Sequence, residues 1–258
     1  MILIKLGGSI ITNKTQYRIF NRDTVRRLCA EIRDSGVNAI IVHGGGSFGH
    51  VISKEYSLHK GYANPKQVPA VARVQYDMRE LNLMIMDELL NAGISAVSVP
   101  PGSCFMMDNG KLLLEDPEVL LSASDLGLMP VMFGDVVFDR SKGFGICSGD
   151  QLIEVLCGIY YPEKVVFVSD VDGLFDKDPK THQDAKLLPE VTLELLGGVS
   201  SESCVDDVTG GVRAKMETML RMTSSERDCV LVNGSVEGRL YSLLKGDRVI
   251  STTVKGGL

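Results

Sequence analysis

The stretch His43-Gly44-Gly45-Gly46-Ser47-Phe48-Gly49-His50 carries the residue types that could do chemistry. An apolar run, Ala39-Ile40-Ile41-Val42, leads in, and a helix-compatible segment from Ser47 leads out. Strand, glycine-rich turn and helix N-terminus together make an anion site, because the free N–H groups of the helix's first turn point at the ligand. Glycine lets the backbone come close to that ligand and adopt φ > 0. His50 is read as falling in the first turn, where its side chain could reach the same anion. Residues 44–49 also fit G-x-G-x-x-G, the dinucleotide fingerprint. That motif belongs after the first strand and is answered by an acid about 20 positions on. Here Ile2-Leu3-Ile4 already precedes it, and residues 64–72 hold no Asp or Glu. The plain alternative is a tight turn with a packed histidine, against which three adjacent glycines followed by Ser-Phe-Gly weigh.

Other stretches repeat the anion-binding theme. Lys5 lies within a buried-looking strand that Gly7-Gly8-Ser9 ends, and a lysine there is costly unless its ammonium emerges among anions. Lys14 follows in Thr12-Asn13-Lys14-Thr15, which by itself reads as a solvated loop. Ser148-Gly149-Asp150 opens a helix, so Asp150 either favours the helix dipole or orients nearby lysines. Asp207-Val208-Thr209-Gly210-Gly211 precedes another helix, with Lys215 in its first turns. Three glycine-rich helix starts with Lys5, Lys14 and Lys215 exceed what one phosphate needs. They suit phosphoryl transfer, where the enzyme aligns two phosphorylated partners and neutralises charge. A P-loop is absent, as are the protein-kinase H-R-D and D-F-G signatures. Asp170, Asp172 and Asp176 mimic a calcium loop superficially, but the required glycine and final glutamate are missing.

The elements that must position these residues alternate. Strands are expected at residues 2–6, 38–42, 96–99, 164–170, 230–232 and 249–254, with a strand-rich stretch at 130–138 that turns at Gly134-Asp135 and a short hairpin piece at 110–114. Helices are expected at 24–33, from 47, at 71–91, 151–160 and 212–222, on apolar spacing and terminal glycines. Residues 61–69 read as loop. The apolar side of the long helix (Val74, Met78, Leu81, Met84, Ile85, Leu89) is core, or a soft pocket wall built of methionine. Such alternation implies an α/β fold, an open mostly parallel sheet with helices on both faces. At 258 residues, one large α/β domain or two closely joined lobes are expected. A formal charge of −6 argues against a nucleic-acid surface. Six scattered cysteines without a C-x-x-C pair suit a reducing cytoplasm. No stretch approaches a membrane span of roughly 20 apolar residues, and the N-terminal run is too short for a signal sequence.

Taken in order, Lys5-Leu6-Gly7-Gly8-Ser9, Thr12-Asn13-Lys14, residues 43–50, Ser148-Gly149-Asp150, Ser169-Asp170-Val171-Asp172-Gly173 with Asp178-Pro179, and residues 207–211 with Lys215 resemble the amino acid kinase superfamily. Within it the chain resembles the archaeal-type isopentenyl phosphate kinases, and His50 points to that branch rather than to carboxylate-phosphorylating relatives. The resemblance implies ATP and Mg²⁺ as cofactors, isopentenyl phosphate as acceptor and a homodimer. It implies that Lys5, Leu6, Gly7, Gly8 and Ser9 wrap the ATP phosphates and that Lys14 stabilises the transferring phosphoryl group. Gly45, Gly149 and His50 would hold the acceptor phosphate, and Gly46 the nucleotide phosphates. Asp170, Gly173, Gly211 and Lys215 would complete the nucleotide site, while Asp150 orients the lysines. A fosfomycin kinase shares the histidine-flanked turn, and a nucleotide sensor or storage protein on the same fold is the non-enzymatic alternative. The one departure, Ser251-Thr252 where the family often has Gly-Thr, concerns packing near the end of the chain.

Overall fold

Strand β1 (Ile2–Leu6) sits near the middle of an eight-stranded sheet, and the chain leaves it for one side first and the other side later. The computed structural model describes residues 1–13, 15–177, 182–198 and 211–256. After β1 come a short helix α1 (Gly8–Ile11), α2 (Arg22–Ser35), β2 (Ala39–His43), α3 (Gly46–Glu55) and the long α4 (Gln67–Asn91). Then follow β3 (Ala96–Ser98), the β4 (Phe105–Asp108) and β5 (Lys111–Leu114) hairpin, α5 (Glu118–Asp125) and β6 (Met129–Phe133). Next are β7 (Asp135–Asp139), β8 (Gly143–Cys147), α6 (Gly149–Tyr160), β9 (Lys164–Ser169), β10 (Leu174–Phe175), β11 (Leu187–Leu188) and β12 (Glu190–Val191). The chain closes with α7 (Leu193–Gly198), α8 (Gly211–Met222), β13 (Asp228–Asn233), α9 (Arg239–Lys245) and β14 (Ser251–Val254).

The main sheet runs β12-β14-β13-β9-β1-β2-β6-β3, and every pairing in it is parallel except β13–β14. The carboxyl ends of β9, β1 and β2 therefore open side by side, at the place where strand order reverses, which is where open α/β sheets hold ligands. Period-two alternation sorts each strand's side chains between two cores. Ile2, Ile4 and Leu6 join Ile41, Val166 and Val168 under α2, α4 and α9. Leu3 joins Ile40, Val42, Val165 and Phe167 beneath α6 and α8. Lys5 falls on this second face.

The mostly parallel, doubly covered sheet is as expected, but the middle of the chain differs. The turn expected at Gly134-Asp135 is present, with β6 ending at Phe133, but β7 then leaves the main sheet for a separate one ordered β5-β4-β7-β8. Gly134 allows this crossing, since a Cβ there would stand 3.2 Å from the Cys147 carbonyl oxygen. The long helix begins at Gln67 rather than 71, because Pro69 sits in its first turn, where the missing N–H costs nothing. Gln67 fixes that start by accepting from the Ala63 and Asn64 amides. Helices α1, α5, α7 and α9 were not legible as such, being too short to show a period. Thr252 settles the terminal departure. It is fully buried, donates to the Leu188 carbonyl and accepts from the Leu174 amide.

The small sheet is tied by one carboxylate. Asp139 accepts from the amides of Asn109, Gly110, Ser141 and Lys142, which are the turns of both its hairpins. Burial works to raise this carboxyl, and the four amides outweigh it, leaving the group below the usual carboxylate range. A group depressed in the folded state contributes its full stability above the unfolded value near pH ~4 and loses it as pH falls further. Asp139→Ala should cost about 1–3 kcal/mol at pH 7, read as a urea midpoint. The gap from wild type should narrow below pH ~4, and a gap independent of pH would disprove the role of the charge.

Candidate active site

Three glycine turns meet at the carboxyl edge of the sheet so closely that their backbones touch. A Cβ on Gly8 would stand 2.5 Å from the Gly46 nitrogen, and one on Gly44 would stand 2.8 Å from the Gly8 nitrogen. Both distances are shorter than any real side-chain contact, so only glycine fits. Gly46 adds a positive φ of 46°. Thr12 clamps the two turns: its hydroxyl donates to the Gly8 carbonyl at 2.8 Å and accepts from the Ser47 amide at 3.0 Å. The third turn closes from the other side, where a Cβ on Gly149 would lie 3.2 Å from the Lys5 Cε and 3.6 Å from the His43 carbonyl oxygen.

These contacts leave a set of aimed donors. Gly7 donates to the Val168 carbonyl and Gly44 to the Leu6 carbonyl, which anchors each turn to a neighbouring strand. The amides of Gly8, Ser9, Gly45 and Gly46 take no partner among the described residues. Ser148 caps α6 with a capping box to Gln151, so that helix too presents its first amides.

Two ammonium groups share one carboxylate beside the amides. Lys5 Nζ lies 2.6 Å from Asp150 Oδ1, and Lys215 Nζ lies 3.4 Å from the same oxygen. Both nitrogens stand over the ring of Phe167, 5.6 and 4.5 Å from its centroid. Burial would raise the Asp150 carboxyl, but the two lysines hold it at about 2. Burial and the Lys5 charge pull Lys215 down to about 8 despite Asp150. Lys5, Gly7, Phe167, Val168, Ser169, Lys215 and Leu231 line a small cavity of about 40 Å³. A larger surface groove of about 290 Å³ beside the loop after α3 carries none of these residues.

The constellation thus brings together Lys5, Gly7, Gly8, Ser9, Gly45, Gly46, Gly149, Asp150 and Lys215. Leu6 is fully buried and takes part through its carbonyl alone. Asp170 follows β9 at the same edge and accepts weakly from the Ser169 hydroxyl at 3.4 Å. Gly173 is packed against Thr252, its Cβ position only 2.4 Å from the threonine oxygen, so the closeness of the C-terminal strand accounts for that glycine. Gly211 begins α8. Lys14, Asp178-Pro179 and Asp207-Val208-Thr209-Gly210 lie outside the described residues. His50 is exposed and is the fifth residue of α3, which starts at Gly46, so it stands just past the first turn and feels less of the dipole than expected. Met78 and Leu81 are core, as the plain reading of that helix has it, yet the Met78 sulfur lies 3.1 Å from Cβ positions on Gly45 and Gly49. Sequence reasoning missed Thr12 and Phe167. Thr12 carried a signal, four residues after Gly8; Phe167 was one apolar strand residue among several.

A bound polyanion favours charged Lys215. Filling the site with ATP should therefore take up a proton near pH 8, and affinity should weaken as pH rises from 7 to 9. Calorimetry in buffers of different ionisation enthalpy reads this directly. Lys215→Met should abolish the uptake; proton release, or uptake that survives the substitution, would contradict it.

The sequence profile of the amino acid kinase family matches residues 1–233. The chain is 34% identical to the isopentenyl phosphate kinase of Thermoplasma acidophilum over 99% of its own length and 100% of the relative's. It is 34% identical to the isopentenyl phosphate kinase of Methanothermobacter thermautotrophicus, over 99% of both chains. A solved isopentenyl phosphate kinase superposes with a TM-score of 0.85 at 32% identity, covering 99% of this chain and 100% of the other. With its glycine turns and lysines converging on one sheet edge, the chain belongs to the amino acid kinase family.

Proposed function

We infer that this chain transfers the γ-phosphoryl group of ATP to isopentenyl phosphate, giving isopentenyl diphosphate and ADP. The observation that carries the reading is the full-length similarity to isopentenyl phosphate kinases, laid over a site built of free amides and lysines. A phosphate monoester loses its second proton near pH ~6, so an acceptor oxygen is already anionic at neutral pH. That oxygen attacks the γ-phosphorus, the bond to the β–γ bridging oxygen breaks, and ADP leaves with the electron pair. No general base is required. The barrier is repulsion between two polyanions, which amides and ammonium groups lower.

In this reading Gly7, Gly8, Ser9 and Gly46 hold the ATP phosphates, and Lys5 and Lys215 neutralise them. Gly45, Gly149 and His50 hold the acceptor phosphate, while Asp150 keeps the two lysines in place. Lys14 acts on the transferring group, and Asp170, Gly173 and Gly211 complete the nucleotide side. The acceptor half runs to about residue 160 and the nucleotide half from about 161. Mg²⁺ fits as an ion carried by the nucleotide, because Asp150 is already engaged by two lysines and the described residues offer no cluster of three ligating side chains. When bound, it would supply charge neutralisation on the nucleotide phosphates. The five described cysteines are free and buried, which supports a reducing cytoplasm as the working compartment.

A homodimer is supported by α4. Val68, Tyr76, Leu83 and Leu90 recur every seven or eight residues and are 55–63% exposed, beside the sheet's terminal strand β3. That spacing sets the four side chains on one side of the helix. Light scattering should give twice the 28.0 kDa chain mass, and Leu83→Glu should halve it; a monomeric wild type rules the dimer out.

The activity is tested with purified protein, ATP and Mg²⁺, by comparing isopentenyl phosphate with fosfomycin as acceptor. His50→Ala should lower acceptor kcat/KM roughly ten- to hundredfold, since a charge-assisted hydrogen bond contributes about 1.5–3 kcal/mol. ATP affinity should stay unchanged, and His50→Gln should lose less. Preferential phosphorylation of fosfomycin, or an His50→Ala variant that weakens ATP and acceptor alike, defeats the reading.

A further inference from the structure

His43 ends β2 immediately before the glycine turn, and the proposed roles leave it unused. It is fully buried. Its ring stacks on Phe133 at 5.3 Å between centroids and 17° between planes. Nδ1 lies 3.0 Å from the Gly44 carbonyl oxygen, and Nε2 lies 3.2 Å from Asn82 Nδ2 on α4. The Asn82 oxygen in turn accepts from the Ser98 hydroxyl on β3.

This chain of bonds has one consistent proton arrangement. A carbonyl oxygen only accepts, so Nδ1 carries the hydrogen and donates to Gly44. Nε2 is then bare and accepts from the Asn82 amide, whose oxygen is already committed to Ser98. Burial in this apolar setting keeps the ring neutral, pulling its pKa down to about 4 although the Gly44 carbonyl works the other way. Both polar ends of Gly44 are therefore held, its N–H by the Leu6 carbonyl and its C=O by the imidazole. In a planar trans peptide the C=O and the following N–H point in opposite directions. Turning the Gly44 carbonyl inward to His43 turns the Gly45 N–H outward, and that amide has no partner among the described residues.

We propose that His43 is a positioning residue for the acceptor: its Nδ1–H holds the Gly44 carbonyl so that the Gly45 amide stays aimed at the acceptor phosphate. Asn82 and Ser98 fix the ring from behind, which ties the aim of that amide to α4 and β3. The proposal rests on the assignment of Gly45 to the acceptor phosphate.

Separate KM values for ATP and isopentenyl phosphate test it. His43→Leu fills the space without a donor and should raise the acceptor KM about tenfold, the scale of one lost hydrogen bond, with the ATP KM within about twofold. His43→Asn places an amide N–H near the former Nδ1 and should restore most of the loss. Gly45→Ala, which disturbs the cradle directly, should also act on the acceptor alone. If Gly45→Ala impairs the acceptor and His43→Leu does not, or if His43→Asn fails to rescue, the positioning role falls while the site assignment stands. If Gly45→Ala acts on ATP instead, the site assignment falls and the proposal with it. Imidazole ¹⁵N shifts of the wild-type protein give a measurement free of folding defects: they should show Nδ1 protonated and Nε2 bare at pH 7, and the opposite tautomer overturns the proposal.

Discussion

Everything at this site depends on backbone touching backbone. Gly8 and Gly46 approach so closely that a methyl group on either has nowhere to go, and the approach is what lets the β1 turn and the β2 turn present their amides to a common space. Such contact gives no hydrophobic gain of its own. It must be imposed by the strands behind it, and β1 pairs in parallel along its own whole length with both β2 and β9. The sheet's register fixes where each turn begins, and glycine lets the turns close. Thr12 converts the proximity into a fixed geometry by bonding to both sides at once.

Charge is held in the same economical way. Two ammonium groups beside each other would repel, and a carboxylate buried alone would take up a proton. Asp150 between Lys5 and Lys215 removes both problems, and the Phe167 ring beneath them adds a favourable face. The arrangement carries one net positive charge, with further donors in the surrounding amides. Phosphate oxygens arriving there meet groups that are already oriented, so little reorganisation is needed. Burial first, and the neighbouring Lys5 charge second, hold Lys215 below the usual lysine range, and a bound anion works against both.

The parts of this design legible in the sequence are those with local signatures. Alternating apolar runs and glycine turns gave the parallel sheet, and residues 43–50 and 148–150 gave two of the meeting turns. The remainder depends on distance in space rather than in sequence. Nothing local in Phe167 says that two lysines, one 162 positions earlier and one 48 later, end above its ring. The turn at Gly134-Asp135 was legible but the second sheet was not, because a turn residue marks where a strand breaks and not which sheet the next strand joins. The position of His50 moved because the helix starts at the glycine itself: Gly46 adopts the first helical position with positive φ, a conformation that apolar spacing does not report.

Met78 shows why the acceptor end resists being read as either core or pocket. Its side chain is buried in the main core beneath α3 and α4, which is the role its helical spacing suggests. The same sulfur stands 3.1 Å from Cβ positions on both Gly45 and Gly49, so it also crowds the turn from behind. A larger residue at either glycine would have to displace the methionine, and a different shape at 78 would be felt by the turn. Core packing and the phosphate cradle therefore share an atom. A soft, unbranched side chain suits that shared place, because it can give by a few tenths of an ångström without opening a cavity. A branched residue of similar volume would satisfy the core yet transmit any misfit to the Gly45 amide. Where Gly45 holds the acceptor phosphate, as proposed, the shape of residue 78 bears on that contact as well as on the core.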